Sequence, residues 1–364
     1  MPAKAFTRQG LTLQLSSPHE TDLQWLADFL EPGFRLETDT APDWEIRVQE
    51  SAEHYEALMK QGADEEGKTI PCFSFDDHIA NYRLWRESLL TIYDDELDLF
   101  YSIDTRKRVV EVLTGRRLLS IRVALLRLVR EFASHHLALN GDVTFHAAAI
   151  SYEGNGILIC GPKKAGKTSF IIHALQYPKT KLISNDRSIL SNDTSHGLTL
   201  SGMPTVITIR QGTMALFSRP PFNDRRHWRA RMSLDEALEL PASSEADDVP
   251  EKLDLNPSQF CHLLECGMSE AAPLKAVIFP MVNEEQSGTK LIRLTEREVA
   301  ERLEQNQFPL APSPFSTTTE QTPIADAAKQ IIDKLSSGSP GFQCILGQGA
   351  FQGPSLCEQV LKLL

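Results

Sequence analysis

The sequence predicts an α/β protein whose larger part is an α+β arrangement around a mixed sheet, and three observations support this. From Val143 onward, short β-rich runs alternate with Asn, Asp and Gly turns and with few helices, which is typical of a mixed sheet with several hairpins. A long amphipathic stretch over 118–139 precedes these runs. Before it, residues 11–117 combine a helical pattern with a β-meander, which indicates a small α/β unit.

The N-terminal part contains clear start and stop signals. Ser17-Pro18 can begin a helix that carries regularly spaced apolar residues, and Pro32-Gly33 ends it. Three β-rich runs over 91–113 are separated by Asp-containing turns. The amphipathic helix is predicted to end at Asn140-Gly141. We therefore expect an N-terminal α/β domain over 1–117, a connecting helix over 118–142 and a larger domain over 143–364.

The larger domain is predicted to be rich in short strands, with residues 217–257 as a loop-rich insertion. The insertion begins with an arginine cluster and ends with an acidic stretch. Towards the C-terminus, the pattern predicts a helix over 324–335, a strand over 341–346 and a last helix beginning at Pro354. The other predicted strands are 145–151, 156–160, 181–184, 188–190, 198–201, 206–210 and 276–279.

Composition and charge exclude several classes of protein. Hydrophobic residues make up 41% of the chain and charged residues 24%, which excludes a disordered or fibrous chain. The net charge of −12 makes non-specific binding to nucleic acid or to an anionic membrane unfavourable. The N-terminus lacks the apolar core of a secretion signal, and charged residues interrupt the stretch 118–139. The cysteines are scattered, which fits reduced thiols, so we expect a cytoplasmic protein.

Cys261 and Cys266, with His262 beside the first, form the one close cysteine group of the sequence. Positions five apart do not share a helical face, and no second pair of ligands lies nearby. We therefore expect buried thiols here and no zinc site.

The strongest functional signal is the segment GPKKAGKT at 161–168, a full match to the phosphate-loop pattern GxxxxGK[ST]. A predicted buried strand precedes it and a predicted helix follows, which is the arrangement that such a P-loop requires. The two glycines let successive backbone N–H groups converge on phosphate oxygens at the positive end of the helix. Lys167 would contact the β and γ phosphates, and the Thr168 hydroxyl would ligate Mg²⁺. The residues expected to bind ATP are Gly161, Pro162, Lys163, Lys164, Ala165, Gly166, Lys167, Thr168 and Ser169.

Two side chains outside the loop are candidates for the chemistry. His146 lies on the predicted strand that precedes the loop strand. Asp186 ends the apolar strand that follows the loop helix, where a metal ligand or a general base would sit.

These segments resemble a known family. The run HAAAISYEGNGILICGPKKAGKTS, followed by KLISNDRSIL, resembles the catalytic domain of HPr kinase/phosphorylase and its stand-alone relatives. The glycine-containing run 201–210 resembles the strand that follows in these proteins, and residues 216–364 resemble them only loosely. The resemblance implies a P-loop in a twisted mixed sheet similar to that of phosphoenolpyruvate carboxykinase. It also implies a kinase that transfers the γ-phosphoryl group of ATP, with Mg²⁺, to a hydroxyl.

The resemblance assigns roles unevenly. Lys167 and Thr168 match the nucleotide and Mg²⁺ positions, and His146 matches a histidine beside the phosphate and the catalytic carboxylate. The family carries paired aspartates, of which the first is thought to take the proton from the substrate hydroxyl, but here Asn185 stands first and only Asp186 is acidic. Either Asp186 is the base while Asn185 orients substrate or metal, or Asp186 ligates Mg²⁺ while His146 accepts the proton.

Four residues are weaker candidates for substrate contacts: Asn185, Arg187, Arg210 and Arg225. Arg187 pairs with phosphate or caps its strand, and Arg210 would stabilise transition-state charge. Arg225 belongs to the arginine cluster, which binds an acidic or phosphate-bearing substrate, covers ATP as a lid, or is a solvated loop.

The expected acceptor is a serine of a protein or peptide, or a small molecule, recognised by the N-terminal domain. Neither nucleic acid nor a membrane is expected as a partner, and the oligomeric state, including a homo-oligomer, stays open. The alternatives are a nucleotide-binding regulatory protein without phosphotransfer and a carboxykinase-type enzyme acting on a small acid.

Overall fold

The computed structural model divides the chain into two compact units. The first contains Met1–Leu137, and the second contains Ala138–Pro309 and Gln321–Leu364. Each unit combines helices with a sheet of mixed strand direction, so the predicted α/β class is confirmed. The residues that the structure describes are 1–38, 40–64, 70–71, 79–80, 82–86, 89–193, 197–217, 229–239, 251–308, 321–351 and 355–361.

The first unit is built on one large sheet with helices packed beside it. Its elements are β1 (Ala3–Arg8), β2 (Leu11–Ser16), α1 (Glu20–Leu30), β3 (Arg35–Glu37), β4 (Trp44–Glu50), α2 (Ala52–Asp64), β5 (Ile70–Pro71), β6 (Ile79–Ala80), β7 (Tyr82–Arg86), β8 (Leu89–Asp94), β9 (Leu99–Asp104), β10 (Val109–Thr114) and α3 (Ser120–Leu139). The sheet order is β3-β1-β2-β4-β10-β9-β8-β7, and β4 runs parallel to both of its neighbours. The helix α1 and the meander β8-β9-β10 confirm the predictions for this part.

The helix α3 belongs mainly to the first unit, although the sequence predicts it as a connector. Its apolar stripe is buried, and the Phe132 ring packs on the Trp44 ring with centroids 4.8 Å apart. The buried Arg122 guanidinium pairs with the Asp22 carboxylate at 2.9 Å. These contacts explain why the division of the chain falls at Leu137. No helix in the described part of the chain has the length and apolar content needed to span a membrane.

The second unit contains the glycine-containing segment 161–168 and a larger sheet. Its elements are β11 (Val143–Tyr152), β12 (Asn155–Cys160), α4 (Lys167–Leu175), β13 (Thr180–Ser184), β14 (Arg187–Asp193), β15 (Gly197–Gly202), β16 (Ile207–Arg210), α5 (Gln211–Met214), α6 (Leu234–Leu238), β17 (Lys252–Leu255), α7 (Pro257–Leu264), β18 (Gly267–Met268), β19 (Ala271–Ser287), β20 (Thr289–Arg293), α8 (Glu296–Asn306), α9 (Gln321–Gly338), β21 (Gly341–Gln348) and α10 (Ser355–Leu361).

The strand β12 lies at the centre of this sheet, between β11 and β19. It runs antiparallel to β11 but parallel to β19, and β19 runs parallel to β21. The carboxyl ends of β12, β19 and β21 therefore lie at one edge of the sheet, which is where open α/β sheets bind ligands. The strand β14 pairs with the first residues of β11, β15 pairs with the first residues of β19, and β14 and β15 pair with each other.

The central strands are buried on both faces, which explains their nearly continuous apolar sequence. Ile157 and Ile159 of β12 point into a core that includes residues of α4 and α7. Leu158 and Cys160 point into a second core that includes residues of α8 and α9. The rigid, doubly packed β12 thus fixes the position of the loop that follows it.

Several elements differ from the sequence predictions. The strand predicted over 276–279 is part of the much longer β19, whose apolar residues Val277 to Val282 form a ladder with β21. The helix α8 was not predicted, because only Val299 and Leu303 form its buried stripe. In the predicted loop-rich insertion, α6 and β17 are regular, and β17 pairs with β16. The helix α9, the strand β21 and the helix α10 confirm the C-terminal predictions.

Candidate functional site

The segment 161–168, here called the glycine loop, connects the buried end of β12 to the first turn of α4. The predicted order of strand, loop and helix is confirmed. Gly166 has a left-handed φ of 98°, a backbone conformation that favours glycine, and a Cβ atom there would also lie 2.8 Å from the end of the Leu346 side chain. The Ala165 N–H donates to the Pro162 carbonyl at 3.1 Å, which closes a turn inside the loop.

The N-terminus of α4 offers donors for an anion. Gly166 is the N-cap residue and has no side chain that could accept from the first backbone N–H groups. The first N–H groups of a helix have no partner within it, and they carry the positive end of the helix dipole. Lys167, Thr168 and Ser169 form this first turn, and no acidic residue opposes an incoming anion there.

Lys167 spans the glycine loop. Its buried ammonium group donates to the Gly161 carbonyl at 2.5 Å and to the Pro162 carbonyl at 3.3 Å. Burial lowers the pKa of Lys167, and the Asp186 carboxylate nearby acts in the opposite direction. An ammonium group has three N–H donors, so two of them hold the loop in a ring and the third can serve a phosphate oxygen.

His146 and Asp186 come together beside the loop. The His146 Nε2 atom lies 3.4 Å from Asp186 Oδ1, and both side chains are partly exposed. Burial lowers the pKa of His146 below its usual 6.5, and the positive charges of Lys167 and Arg187 act in the same direction, against the effect of Asp186. At neutral pH the imidazole is therefore uncharged and able to accept a proton.

The backbone around Asp186 is held by contacts that sequence reasoning missed. The Ala147 N–H donates to the Asp186 carbonyl at 3.0 Å. The hydroxyls of Ser184 and Ser188 lie 2.6 Å apart, and the Ser188 hydroxyl donates to the Ala147 carbonyl at 2.9 Å. The signal in the sequence that could have predicted this network is the pair of serines that flank the three-residue turn. This network fixes the turn 185–187 against β11.

Gly202, from the glycine-containing run of the sequence, supports the same turn. A Cβ atom at this position would lie 2.2 Å from the Ile183 carbonyl oxygen and 2.7 Å from Ser184 Cβ. The absence of a side chain therefore lets β15 approach the end of β13, directly before Asn185.

The remaining predicted residues are distributed around the site. Lys163 and Lys164 are exposed, and the buried Ser169 hydroxyl donates to Thr213 Oγ1 at 3.5 Å. The Asn185 Oδ1 atom is buried and accepts no hydrogen bond from any described residue.

The three predicted arginines fall in different places. The buried Arg187 guanidinium stacks on the Phe308 ring, 4.1 Å from its centroid. Arg210 is exposed at the end of β16, opposite Lys252 in the ladder. Arg225 lies outside the described residues. The structure thus groups Lys167, His146 and Asp186, and it does not place Arg210 among them.

A cavity of about 670 Å³ lies beside the glycine loop, and it was not predicted because α8 was not. Its apolar side comes from β19, and its polar side comes from α8 and Gln343. The Arg302 guanidinium donates to Gln343 Oε1 at 3.3 Å, and the Gln343 amide contacts the Met281 sulfur at 3.3 Å. The cavity is lined by Gly161–Ala165, Phe279, Pro280, Met281, Val282, Glu298, Glu301, Arg302, Gln305, Asn306 and Gln343.

Comparisons with known proteins give no family. A scan against protein-family models finds no match to the chain. A search of curated proteins finds no similar sequence.

Proposed function

We propose that the second unit is an ATP-dependent phosphotransferase of the HPr kinase-like type, which transfers the γ-phosphoryl group to a hydroxyl. The observation that carries this proposal is the grouping of Lys167, the uncapped N-terminus of α4 and the His146–Asp186 pair around one loop. The free backbone donors of a helix N-terminus, together with a buried ammonium group, suit a triphosphate. A carboxylate next to an uncharged imidazole suits the removal of a proton.

In the proposed step the γ-phosphoryl group moves from ATP to the acceptor hydroxyl. The acceptor hydroxyl oxygen forms a bond to the γ-phosphorus while the bond from the γ-phosphorus to the β–γ bridging oxygen breaks, which releases ADP. The hydroxyl proton passes to Asp186 or to His146, which lie 3.4 Å apart and can share it. Lys167 and the N–H groups of α4 hold the phosphate oxygens as negative charge moves towards the leaving ADP.

The residues beside the loop also fit a magnesium ion. Mg²⁺ prefers oxygen ligands and is usually held by one or two protein side chains together with substrate phosphates and water. The Thr168 hydroxyl, the Asp186 carboxylate and the buried, unsatisfied Asn185 Oδ1 supply such oxygens. When bound, the ion would neutralise phosphate charge.

The cavity beside the glycine loop is the proposed site of the nucleoside. Met281 and Val282 offer an apolar surface to a base, and the Gln343 amide offers hydrogen bonds. Replacing Gln343 with alanine should weaken binding of ATP but leave binding of inorganic tripolyphosphate unchanged. Equal weakening of both would contradict the placement of the nucleoside.

The transfer itself is tested with γ-labelled ATP, Mg²⁺, a cell extract and a set of small hydroxyl compounds. We expect label on an acceptor with the wild-type protein, and none with Asp186→Asn although ATP binding is kept. The matched control is Asp333→Asn, an exposed carboxylate on α9, which should transfer like the wild type. Label that stays in ATP, or that appears only as free phosphate, would overturn the phosphotransferase proposal.

A further inference from the structure

Cys261 and Cys266 lie at the C-terminal end of α7, where the chain leaves the helix. Glu265 has a left-handed φ of 51°, and the Cys266 N–H donates to the Cys261 carbonyl at 3.0 Å. The Glu265 N–H donates to the His262 carbonyl at 3.2 Å. These two bonds form a Schellman motif, which turns the chain back and brings the residue after the turn against the last helical turn. The two cysteines therefore face each other, although positions five apart diverge on a continuous helix.

The two thiols differ in environment. Cys261 is buried in the core that includes α4, whereas Cys266 is partly exposed. The neighbouring thiol of Cys261 lowers the pKa of Cys266, because its S–H group can donate to the Cys266 thiolate. The same contact and burial raise the pKa of Cys261. Cys266 is thus the better nucleophile of the pair.

A small molecule can reach the pair. A cavity of about 550 Å³ is lined by both cysteines. It lies at the end of α7, and the other residues that line it are Leu234, Ser258, His262, Glu265, Gly267 and Met268.

We propose that Cys261 and Cys266 form a reversible disulfide pair, and that a small disulfide such as glutathione disulfide reacts first at Cys266. The Cys266 thiolate attacks one sulfur of glutathione disulfide, which forms a mixed disulfide and releases one glutathione. Cys261 then loses its proton and attacks the Cys266 sulfur, which forms the Cys261–Cys266 bond and releases the second glutathione. The protein loses two electrons, and both halves of the oxidant leave as thiols with the two protons.

The pairing is tested on the reduced full-length protein with glutathione disulfide as the probe. Remaining thiols are blocked, and the protein is digested without reductant for peptide mass spectrometry. We expect a Cys261–Cys266 cross-link in the wild type and in the control Cys344→Ser, which removes a buried thiol of β21. Cys261→Ser should retain one glutathione on Cys266, and Cys266→Ser should carry none on Cys261. A wild-type protein that is oxidised only at other cysteines, or not at all, would refute the pairing.

The order of attack is tested by the rate at which Cys266 reacts with the probe. Cys261→Ser keeps an O–H donor beside Cys266, and Cys261→Ala removes it. Loss of the donor in Cys261→Ala should raise the pKa of Cys266, which makes its thiolate fraction smaller but the thiolate itself more nucleophilic. For each unit of that rise, Cys266 should therefore react about threefold more slowly in Cys261→Ala than in Cys261→Ser. Equal rates in the two variants would show that Cys261 does not activate Cys266.

Discussion

Replacing Gly202 with alanine would force β15 away from the end of β13. The added Cβ atom would lie 2.2 Å from the Ile183 carbonyl oxygen, which is a backbone atom and cannot rotate away. The strands would have to separate by about 1 Å, at an expected stability cost of about 1–3 kcal/mol. The same movement would displace the turn that carries Asp186, and a misplacement of this size can reduce a catalytic rate about 100-fold.

We therefore expect Gly202→Ala to bind a non-hydrolysable ATP analogue without Mg²⁺ like the wild type, but to transfer phosphate about 100-fold more slowly. The matched control is Gly338→Ala at the end of α9, where an added Cβ atom has open space. The two rates are compared with γ-labelled ATP, and analogue binding is measured by calorimetry. Transfer at the wild-type rate, or a parallel loss of analogue affinity, would refute the proposed link between this glycine and Asp186.

Two further predictions concern stability. Folding lowers the pKa of His146 below 6.5, so protonation of this histidine favours the unfolded state. The stability of the wild type relative to His146→Asn should therefore be constant above pH 6.5 and should decrease as the pH falls below it. Thermal midpoints at about pH 7.5 and about pH 5.5 measure this, and a pH-independent difference would contradict it. Asp22→Asn should cost about 3 kcal/mol or more in urea unfolding, because it leaves the buried Arg122 guanidinium without its carboxylate. The control Arg297→Ala breaks an exposed ion pair and should leave the midpoint unchanged, so equal midpoints for all three proteins would argue against a structural role for Asp22.

The sequence predicts local features of the site better than distant ones. The loop geometry around Gly166 follows from contiguous residues, so the motif and its flanking patterns suffice to predict it. The contact between His146 and Asp186 was expected only through the family resemblance, and it is present at 3.4 Å. The roles of both residues stay predictions.

The cavity beside the glycine loop shows why features built from distant segments were not predicted. Its wall is α8, which comes more than a hundred residues later and presents few apolar positions to the core. The contact between Cys261 and Cys266 escaped prediction for a different reason. The expectation for Cys261 and Cys266 assumed a continuous helix, whereas the left-handed Glu265 ends α7 between them. Such tertiary and capping geometry leaves no periodic pattern in the sequence.

The most direct measurement is a calorimetric titration of the full-length protein with Mg²⁺ and a non-hydrolysable ATP analogue. The Lys167 ammonium is buried across the glycine loop, and a charge-assisted hydrogen bond contributes about 1.5–3 kcal/mol. We therefore expect saturable binding that Lys167→Met weakens about 10-fold to about 100-fold. Lys329→Met, which changes an exposed lysine of α9 away from the loop, should bind like the wild type. A wild-type protein that does not bind the analogue, or a Lys167→Met variant that binds it equally well, would contradict the assignment of the loop as a triphosphate site.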